Sequence, residues 1–128
     1  MAVTGGSVTL TNDLLEYNSA SGGTGFPALP GGLPAGSGGS AFGGALYADG
    51  GATVSLCSDT VEFNAASGGI DGNGVPSVQA EGGGIYIAPK TKVYLDAFSV
   101  ANAINNTDSS GTNGSTANID GSYILRNC

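Results

Sequence analysis

The stretch GGALYADGGATVSLCSDTVEFNAASGG, residues 43–69, decides the fold, because altered versions of it stand on both sides. Upstream the chain reads SVTLTNDLLEYNSASGG (7–23), and downstream it reads GGGIYIAPKTKVYLDAFSVANA (82–103). A phrase that occurs three times within 128 residues indicates a repeated structural unit. The repetition therefore predicts an array of stacked units.

Each copy contains a Val-x-Leu pair, which begins at Val8, Val54 and Val93. The spacings are 46 and 39 residues, within the range of solenoid repeats. Apolar and polar residues alternate around each pair, which indicates strands with one buried face. Tyr47 and Tyr86 are predicted to point outward, one above the other. The positions predicted to point inward are Val8, Leu10, Leu15, Tyr17, Leu46, Val54, Leu56, Val61, Phe63, Ile85, Val93, Leu95 and Val100.

The strand-like runs are short and recur in order. They are predicted at residues 45–48, 53–57, 60–64, 85–88, 92–96 and 99–102, with equivalents in the first copy, and Gly-rich segments separate the copies. This pattern predicts an all-β fold: a right-handed parallel β-helix of about three coils, three short strands per coil, with long Gly-rich loops on one side. The length predicts one domain. Its expected parts are coil 1 at about 1–42, coil 2 at about 43–82, coil 3 at about 83–118 and a partial terminal coil at 119–128.

The phrases GGALY…TVSLCSDTVEFNAASGG and GGGIYI…KVYLDAFSVANAINNT resemble a known kind of repeat. They are similar to the right-handed parallel β-helix repeats of the pectin-lyase-like superfamily, including polymorphic outer-membrane, autotransporter-like proteins and surface repeat proteins of planctomycete-type bacteria. The closing ANIDGSYILRNC resembles the terminal repeat of such arrays. The resemblance implies an extracellular or cell-surface protein, but not an activity, because that superfamily holds lyases, adhesins and tailspikes.

The charge balance limits the partners. The net charge is −7, and the only basic residues are Lys90, Lys92 and Arg126. Nucleic acids and anionic membrane surfaces both need basic patches, so we expect neither as a partner. No apolar run is long enough to span a bilayer, and the first ten residues lack the regions of a signal peptide. We expect a mature segment or a piece of a longer protein, without membrane insertion.

The residue inventory argues against an enzyme. There is no histidine, which excludes Ser–His and Cys–His nucleophile pairs and His-ligated metals. Arg126 is the only arginine, and no lyase-like motif surrounds it. We therefore expect no catalytic residues, and a truncated polysaccharide lyase is the minor alternative.

Two carboxylate positions are candidates for calcium. Asp13 and Asp59 occupy the same repeat position, which places them about 4.8 Å apart in a parallel stack. They are either exposed and solvated, which we favour, or bridged by a hard cation through oxygen ligands. A weaker candidate is Asp71 with Asn73 in DGNGVPSVQAEG, which a Gly-rich turn explains better. We expect no cofactor, and calcium is the one ion that these residues could take.

Two cysteines, Cys57 and Cys128, do not make a disulfide framework. They could pair with each other, remain reduced or cross-link neighbouring chains. The sequence leaves these alternatives open.

The two ends of the chain suggest self-assembly. Seven residues separate Tyr47 from Val54, and the same count back from Val8 reaches Met1, so the chain is predicted to begin midway through a first strand. GSYIL (121–125) matches GIYIA, which places Tyr123 in the tyrosine column and ends the chain before a second strand.

One copy would then continue the next, as a head-to-tail filament that rises about 14–15 Å per subunit. The alternative is a carbohydrate-binding adhesin that meets polysaccharide through its loop face and exposed aromatic pair. The residues predicted at the assembly interface are Met1, Val3, Val8, Tyr123, Ile124, Leu125 and Cys128.

Overall fold

The computed structural model describes residues 1–76, 79–109 and 115–128, and short strands dominate it. In chain order the elements are β1 (Ala2–Val3), β2 (Ser7–Thr11), β3 (Leu14–Glu16), β4 (Ser19–Ser21), β5 (Ala41–Phe42), β6 (Leu46–Ala48), β7 (Thr53–Cys57), β8 (Thr60–Glu62), β9 (Ala65–Ser67), β10 (Ala80–Glu81), β11 (Ile85–Ile87), β12 (Lys92–Leu95), α1 (Ala97–Ala101), β13 (Ala103–Ile104), β14 (Thr107–Asp108), α2 (Ser115–Asn118), β15 (Ile119–Asp120) and β16 (Ile124–Leu125).

The strands pair in parallel with the equivalent strands of the neighbouring copy. The first sheet is β1-β6-β11-β15, the second is β2-β7-β12-β16, the third is β3-β8-β13, and the fourth is β4-β9-β14. We call β1–β4 the first layer, β6–β9 the second layer, β11–β14 the third layer, and β15 with β16 the fourth. Val8, Val54 and Val93 are register partners, as the repeat predicts. This stacking of parallel strands is compatible with a β-solenoid.

The prediction of three strands per repeat is wrong. The segments expected to be loops begin with β4, β9 and β14, which form the fourth sheet, and they also contain β5 and β10, which pair as a fifth. These strands consist mainly of Ala and Ser, so they lack the large apolar residues by which the other strands were found.

The apolar core lies between the sheets and is densest in the middle layers. Val54, Val61 and Val93 are fully buried, as are Leu56 and Leu95 to within 1%. Val8, Leu10 and Leu15 pack against the same cluster but are only half-buried, because the first layer has a partner on one side alone.

Tyr17 and Phe63 were predicted inside and lie outside, with 73% and 44% of their surface exposed. Both adopt left-handed backbone conformations, at φ of 52° and 54°. A residue in that region turns a corner and leaves the strand alternation, so its side chain points away from the core. The equivalent Asn105 has φ of 56°, so the third layer turns in the same way.

The strand predicted at 99–102 is wrong, because α1 occupies that position. Asp96 caps α1 by accepting the N–H of Ser99 at 2.8 Å. The third layer has three more residues between its second and third strands than the second layer has, and the short helix takes them up. Val100 still contacts the core from α1.

The remaining Gly-rich segments pack on one another through their backbones. Three extended stretches, 22–26, 36–39 and 67–72, exchange hydrogen bonds in a cycle. The donors are glycines three residues apart in each stretch: Gly22 and Gly25, Gly36 and Gly39, Gly69 and Gly72. Three residues per turn is the period of the polyproline II helix. We call these stretches the glycine bundle.

Only glycine fits at the contacts inside the bundle. A Cβ on Gly22, Gly69 or Gly72 would lie less than 3.0 Å from a backbone oxygen of a neighbouring stretch. Gly23 lies on the outside, where a Cβ would meet no atom within 4 Å. The glycines therefore permit a close backbone approach that any side chain would prevent.

Candidate functional site

A column of hydrogen bonds lies at the corner between the second and third sheets. The N–H of Asp13 donates to Oδ1 of Asp59 at 2.7 Å, and the N–H of Asp59 donates to Oγ of Ser99 at 3.0 Å. The other carboxylate oxygen, Oδ2 of Asp59, accepts the N–H of Cys57 at 2.8 Å. The column has a direction, because each donor lies in an earlier layer than its acceptor.

Asp59 is fully buried, so the expectation of a solvated carboxylate is wrong for this residue. Burial raises the pKa of the Asp59 carboxyl, and the N–H groups of Asp13 and Cys57 partly oppose that shift. Both of its oxygens accept backbone N–H groups. The carboxylate therefore provides hydrogen-bond partners for the N–H groups of Asp13 and Cys57 at this corner. A calcium ion at Asp13 and Asp59 stays a prediction.

The second calcium candidate forms a closed turn. Oδ1 of Asp71 accepts the N–H of Asn73 at 2.9 Å and the N–H of Val75 at 2.8 Å. The N–H of Asp71 donates to the carbonyl of Val75 at 2.7 Å. Ser77 and Val78 of the same motif lie outside the described residues. Across the described ranges, no three side chains of His, Cys, Asp or Glu come together to hold a metal ion.

A column of asparagines, which the repeat pattern above does not predict, lies beside the third sheet. Asn18 donates its backbone N–H and its Nδ2 to Oδ1 of Asn64, each at 2.9 Å. Asn64 makes the same pair of bonds to Asn106, and Asn106 makes them to Asn118 at 3.0 and 3.1 Å. The direction is the same as in the hydrogen-bond column through Asp13 and Asp59, with acceptors in the later layer.

A different alignment would have revealed the asparagine column. LLEYN and TVEFN end at Asn18 and Asn64, and the matching run in the third copy is NAINN, which ends at Asn106. The run predicted at 99–102 sets Val100 level with Val61, whereas the three additional residues at α1 make Ala103 the partner of Val61.

The first layer leaves an open surface, which we call the first-layer face: Val8, Leu10, Asp13, Leu15 and Asn18 on the side turned away from the second layer. Within the described part of the chain, Oδ1 of Asp13 and Oδ1 of Asn18 accept no hydrogen bond. A shallow depression of about 400 Å³ lies there, lined among others by Leu10, Asp13 and Leu15. The face is thus apolar at its centre, with two free acceptor oxygens at its corners.

The predicted register of the first strand is wrong by one residue. Ala2, and not Met1, is the partner of Tyr47. Val3 pairs with Ala48 and is only 6% exposed, so it belongs to the core rather than to an interface. The turn after Ala48 has one residue more than the turn after Val3, which shifts the alignment.

The prediction for the terminal repeat is also wrong. Asp120 is the register partner of Tyr86, so Tyr123 does not join the tyrosine column. Ile124 and Leu125 instead pair with β12, in the second sheet. Gly121, at φ of 108°, makes a corner with four residues fewer than the equivalent corner of the third layer. Residues 119–128, here called the terminal segment, therefore add a layer to two sheets.

The cysteines are paired within the chain. A disulfide joins Cys57 to Cys128 across 71 residues, so pairing within the chain is the alternative that the structure has, and Cys128 is not free to cross-link a neighbouring chain. Beside it the N–H of Arg126 donates to the carbonyl of Leu95 at 2.9 Å, and the guanidinium lies 5.5 Å from the centre of the Tyr94 ring. The end of the terminal segment is thereby held against the second sheet.

Among the described residues, two aromatic pairs with stacked rings lie on the outside. The rings of Tyr47 and Tyr86 stack at 5.7 Å with an interplanar angle of 4°, as predicted. The rings of Tyr17 and Phe63 stack at 5.5 Å and are more exposed. Because Tyr17 belongs to the first layer, only one face of its ring is covered by Phe63.

Comparisons with known proteins identify no relative of this chain. No family model, no curated protein and no solved structure matches the chain. Among the described residues, no helix is long and apolar enough to cross a membrane.

Proposed function

We propose that this chain is a structural β-solenoid module, a right-handed parallel β-helix of about three coils, that stacks head-to-tail with further copies of itself. The assembly would be a filament or a surface stalk outside the cell. The parallel register of every sheet supports the proposal, since each layer is already bound as a further layer would be. A disulfide also suits an oxidising compartment.

The first-layer face is the observation that carries the proposal. Val8 and Leu10 are half-buried, whereas their partners Val54 and Leu56 are at most 1% exposed. Covering these rows with another layer removes apolar surface from water, which stabilises by about 25 cal/mol per Å². The same contact pairs the backbone groups at the open edges of the sheets.

The direction of the columns specifies the occupant of that face. Asp59 and Asn64 each accept a backbone N–H from the layer before them. The free oxygens of Asp13 and Asn18 could accept equivalent N–H groups from a layer placed before the first one. A layer that continues the parallel order would present N–H groups to these oxygens. Two first-layer faces placed against each other would set acceptor against acceptor and carboxylate against carboxylate. The columns therefore favour head-to-tail stacking.

A neighbouring pair of residues provides a matched test. Leu10→Asp puts a charge on the first-layer face, and Thr9→Asp puts the same charge on the outer face of the same strand. We expect sedimentation velocity and negative-stain imaging to show concentration-dependent stacking of the native chain and of Thr9→Asp, but not of Leu10→Asp. A native chain that stays monomeric at high concentration, with its disulfide intact and with it reduced, would contradict the proposal.

A carbohydrate-binding adhesin is the second candidate, and Tyr17 favours it. This ring is 73% exposed and has one uncovered face, on which a sugar ring can stack. On a glycan array we expect Tyr17→Ala to lose binding and Tyr17→Phe to keep it. Binding that survives Tyr17→Ala would remove this site from consideration. A polysaccharide lyase stays the minor alternative, and Arg126, its only arginine, already lies against Tyr94.

A further inference from the structure

The far end of the stack is stepped. The terminal segment gives the first and second sheets four strands each, while the third and fourth sheets have three. The first layer of a second copy spans all four sheets with β1–β4. It can contact every sheet at once only where all four end at the same level, so the step opposes the stacking proposed above.

The terminal segment occupies the place that a second copy needs. In each chain β2 pairs with β7 through Val8 on Val54 and Leu10 on Leu56, and β12 pairs with the opposite edge of β7 in the same register. The edge of β12 that faces away from β7 would therefore accept β2 of a second copy. That edge is taken by β16, whose Leu125 lies on Leu95.

Besides the disulfide, the contacts of Arg126 with Leu95 and Tyr94, the packing of Ile119 on the core and two short strands hold the terminal segment. Its strands are two residues long, and Ile124 and Leu125 are 49% and 65% exposed. Cys128 is exposed, and Cys57 and Cys128 both line a groove of about 410 Å³ that a small thiol can enter. Exposed disulfides are the labile ones.

From these observations we propose that the Cys57–Cys128 disulfide is a redox-controlled clamp that keeps the terminal segment over β12 and so weakens head-to-tail stacking. The inference rests on the proposed function. A dithiol opens the clamp in two steps. One of its thiolates attacks a sulfur atom of the disulfide, forms a mixed disulfide with one cysteine and releases the other. The second thiolate of the reductant then attacks the mixed disulfide and releases the remaining cysteine. The reductant is oxidised to its cyclic disulfide, and Cys57 and Cys128 take two electrons and two protons to become thiols.

Release makes the end surface level once it includes Asn118, which precedes the terminal segment and accepts the N–H and Nδ2 of Asn106. Without β15 and β16, all four sheets end at the third layer, with Val93 and Leu95 open to a second copy. Residues Val8 and Leu10 of that copy would continue the two columns. Stacking then replaces an exposed two-residue strand with a five-residue one.

Sedimentation velocity of the full chain, oxidised and after dithiothreitol, tests the clamp. We expect reduction to raise the association constant about tenfold or more. Cys128→Ser should stack to that level without reductant and should not respond to it. Hydrogen exchange should show residues 119–126 opening on reduction while Val54 and Leu56 stay protected, which separates local release from unfolding.

A second variant keeps the test independent of the cysteines. Leu125→Asp weakens the contact of β16 while the disulfide stays intact, and we expect it to increase stacking of the oxidised chain. Equal association of the oxidised and reduced chains would overturn the clamp and leave the proposed function standing. The clamp is equally overturned if residues 119–126 stay protected after reduction. No association of any variant would overturn the proposed function, and the clamp with it.

Discussion

Asn64 donates both its backbone N–H and its side-chain Nδ2 to Oδ1 of Asn106, each at 2.9 Å. The same side chain also donates to the carbonyls of Leu15 and Glu62. Asn64 is 1% exposed, so none of these groups can turn to water instead. One buried amide thus joins all three complete layers.

Removing that amide should be costly. We expect Asn64→Ala to lower the free energy of unfolding by about 2–3 kcal/mol, because it leaves buried carbonyls and N–H groups unpaired. Urea denaturation measures the change. The control is Asn18→Ala in the exposed first layer, which should cost less than about 1 kcal/mol. Equal costs for the two variants would show that burial of the column does not matter.

The glycine bundle makes a steric prediction. Gly69→Ala forces a Cβ against a backbone oxygen, and we expect a loss of about 1–3 kcal/mol in unfolding free energy. Gly23→Ala, where a Cβ meets open space, should change it by less than about 0.5 kcal/mol. The measurement is the denaturation midpoint of each variant. If Gly69→Ala behaves like Gly23→Ala, the three stretches do not pack as described.

Because the Asp96 carboxylate caps α1, we expect the free energy of unfolding to depend on pH through this residue. Hydrogen bonds from Ser99, followed by those from Ser58, lower the pKa of the Asp96 carboxyl. A lowered folded pKa contributes stability above the unfolded pKa, and the contribution is lost as the pH falls through the folded value. Asp96→Ala should therefore cost about 1 kcal/mol at pH 7. The cost should shrink below about pH 4, the usual aspartate range.

The matched control for the cap is Asp96→Asn. Its amide oxygen still accepts the N–H of Ser99, so most of the stability at pH 7 should remain. Thermal unfolding from pH 2 to pH 7 compares the three proteins. A cost of Asp96→Ala that does not change with pH would mean that the charge of Asp96 does not contribute.

Calcium provides a further test of the acidic positions. Both oxygens of Asp59 are bonded to backbone N–H groups, and Oδ1 of Asp71 accepts two more. We therefore expect the melting temperature to stay the same on addition of millimolar calcium or of a chelator. A rise with calcium that disappears in Asp59→Asn would support the cation bridge, and a rise that disappears in Asp71→Asn would support the loop site.

The sequence by itself determined the stacking. The Val-x-Leu pairs at Val8, Val54 and Val93 share one register, and Tyr47 lies on Tyr86 as the alternation predicts. Both features follow from a period of two along a strand and from translation between copies, so they are visible in the order of the residues alone.

Only the tertiary structure decided the features that depend on backbone conformation or on distant contacts. Tyr17 and Phe63 point outward because of a left-handed φ, which bulky side chains adopt rarely and which an apolar pattern does not reveal. Asp59 is buried because the first layer lies over it, and there its oxygen accepts the N–H of Asp13, 46 residues away. Cys128 reaches Cys57 only because the short corner at Gly121 carries the terminal segment onto the second sheet.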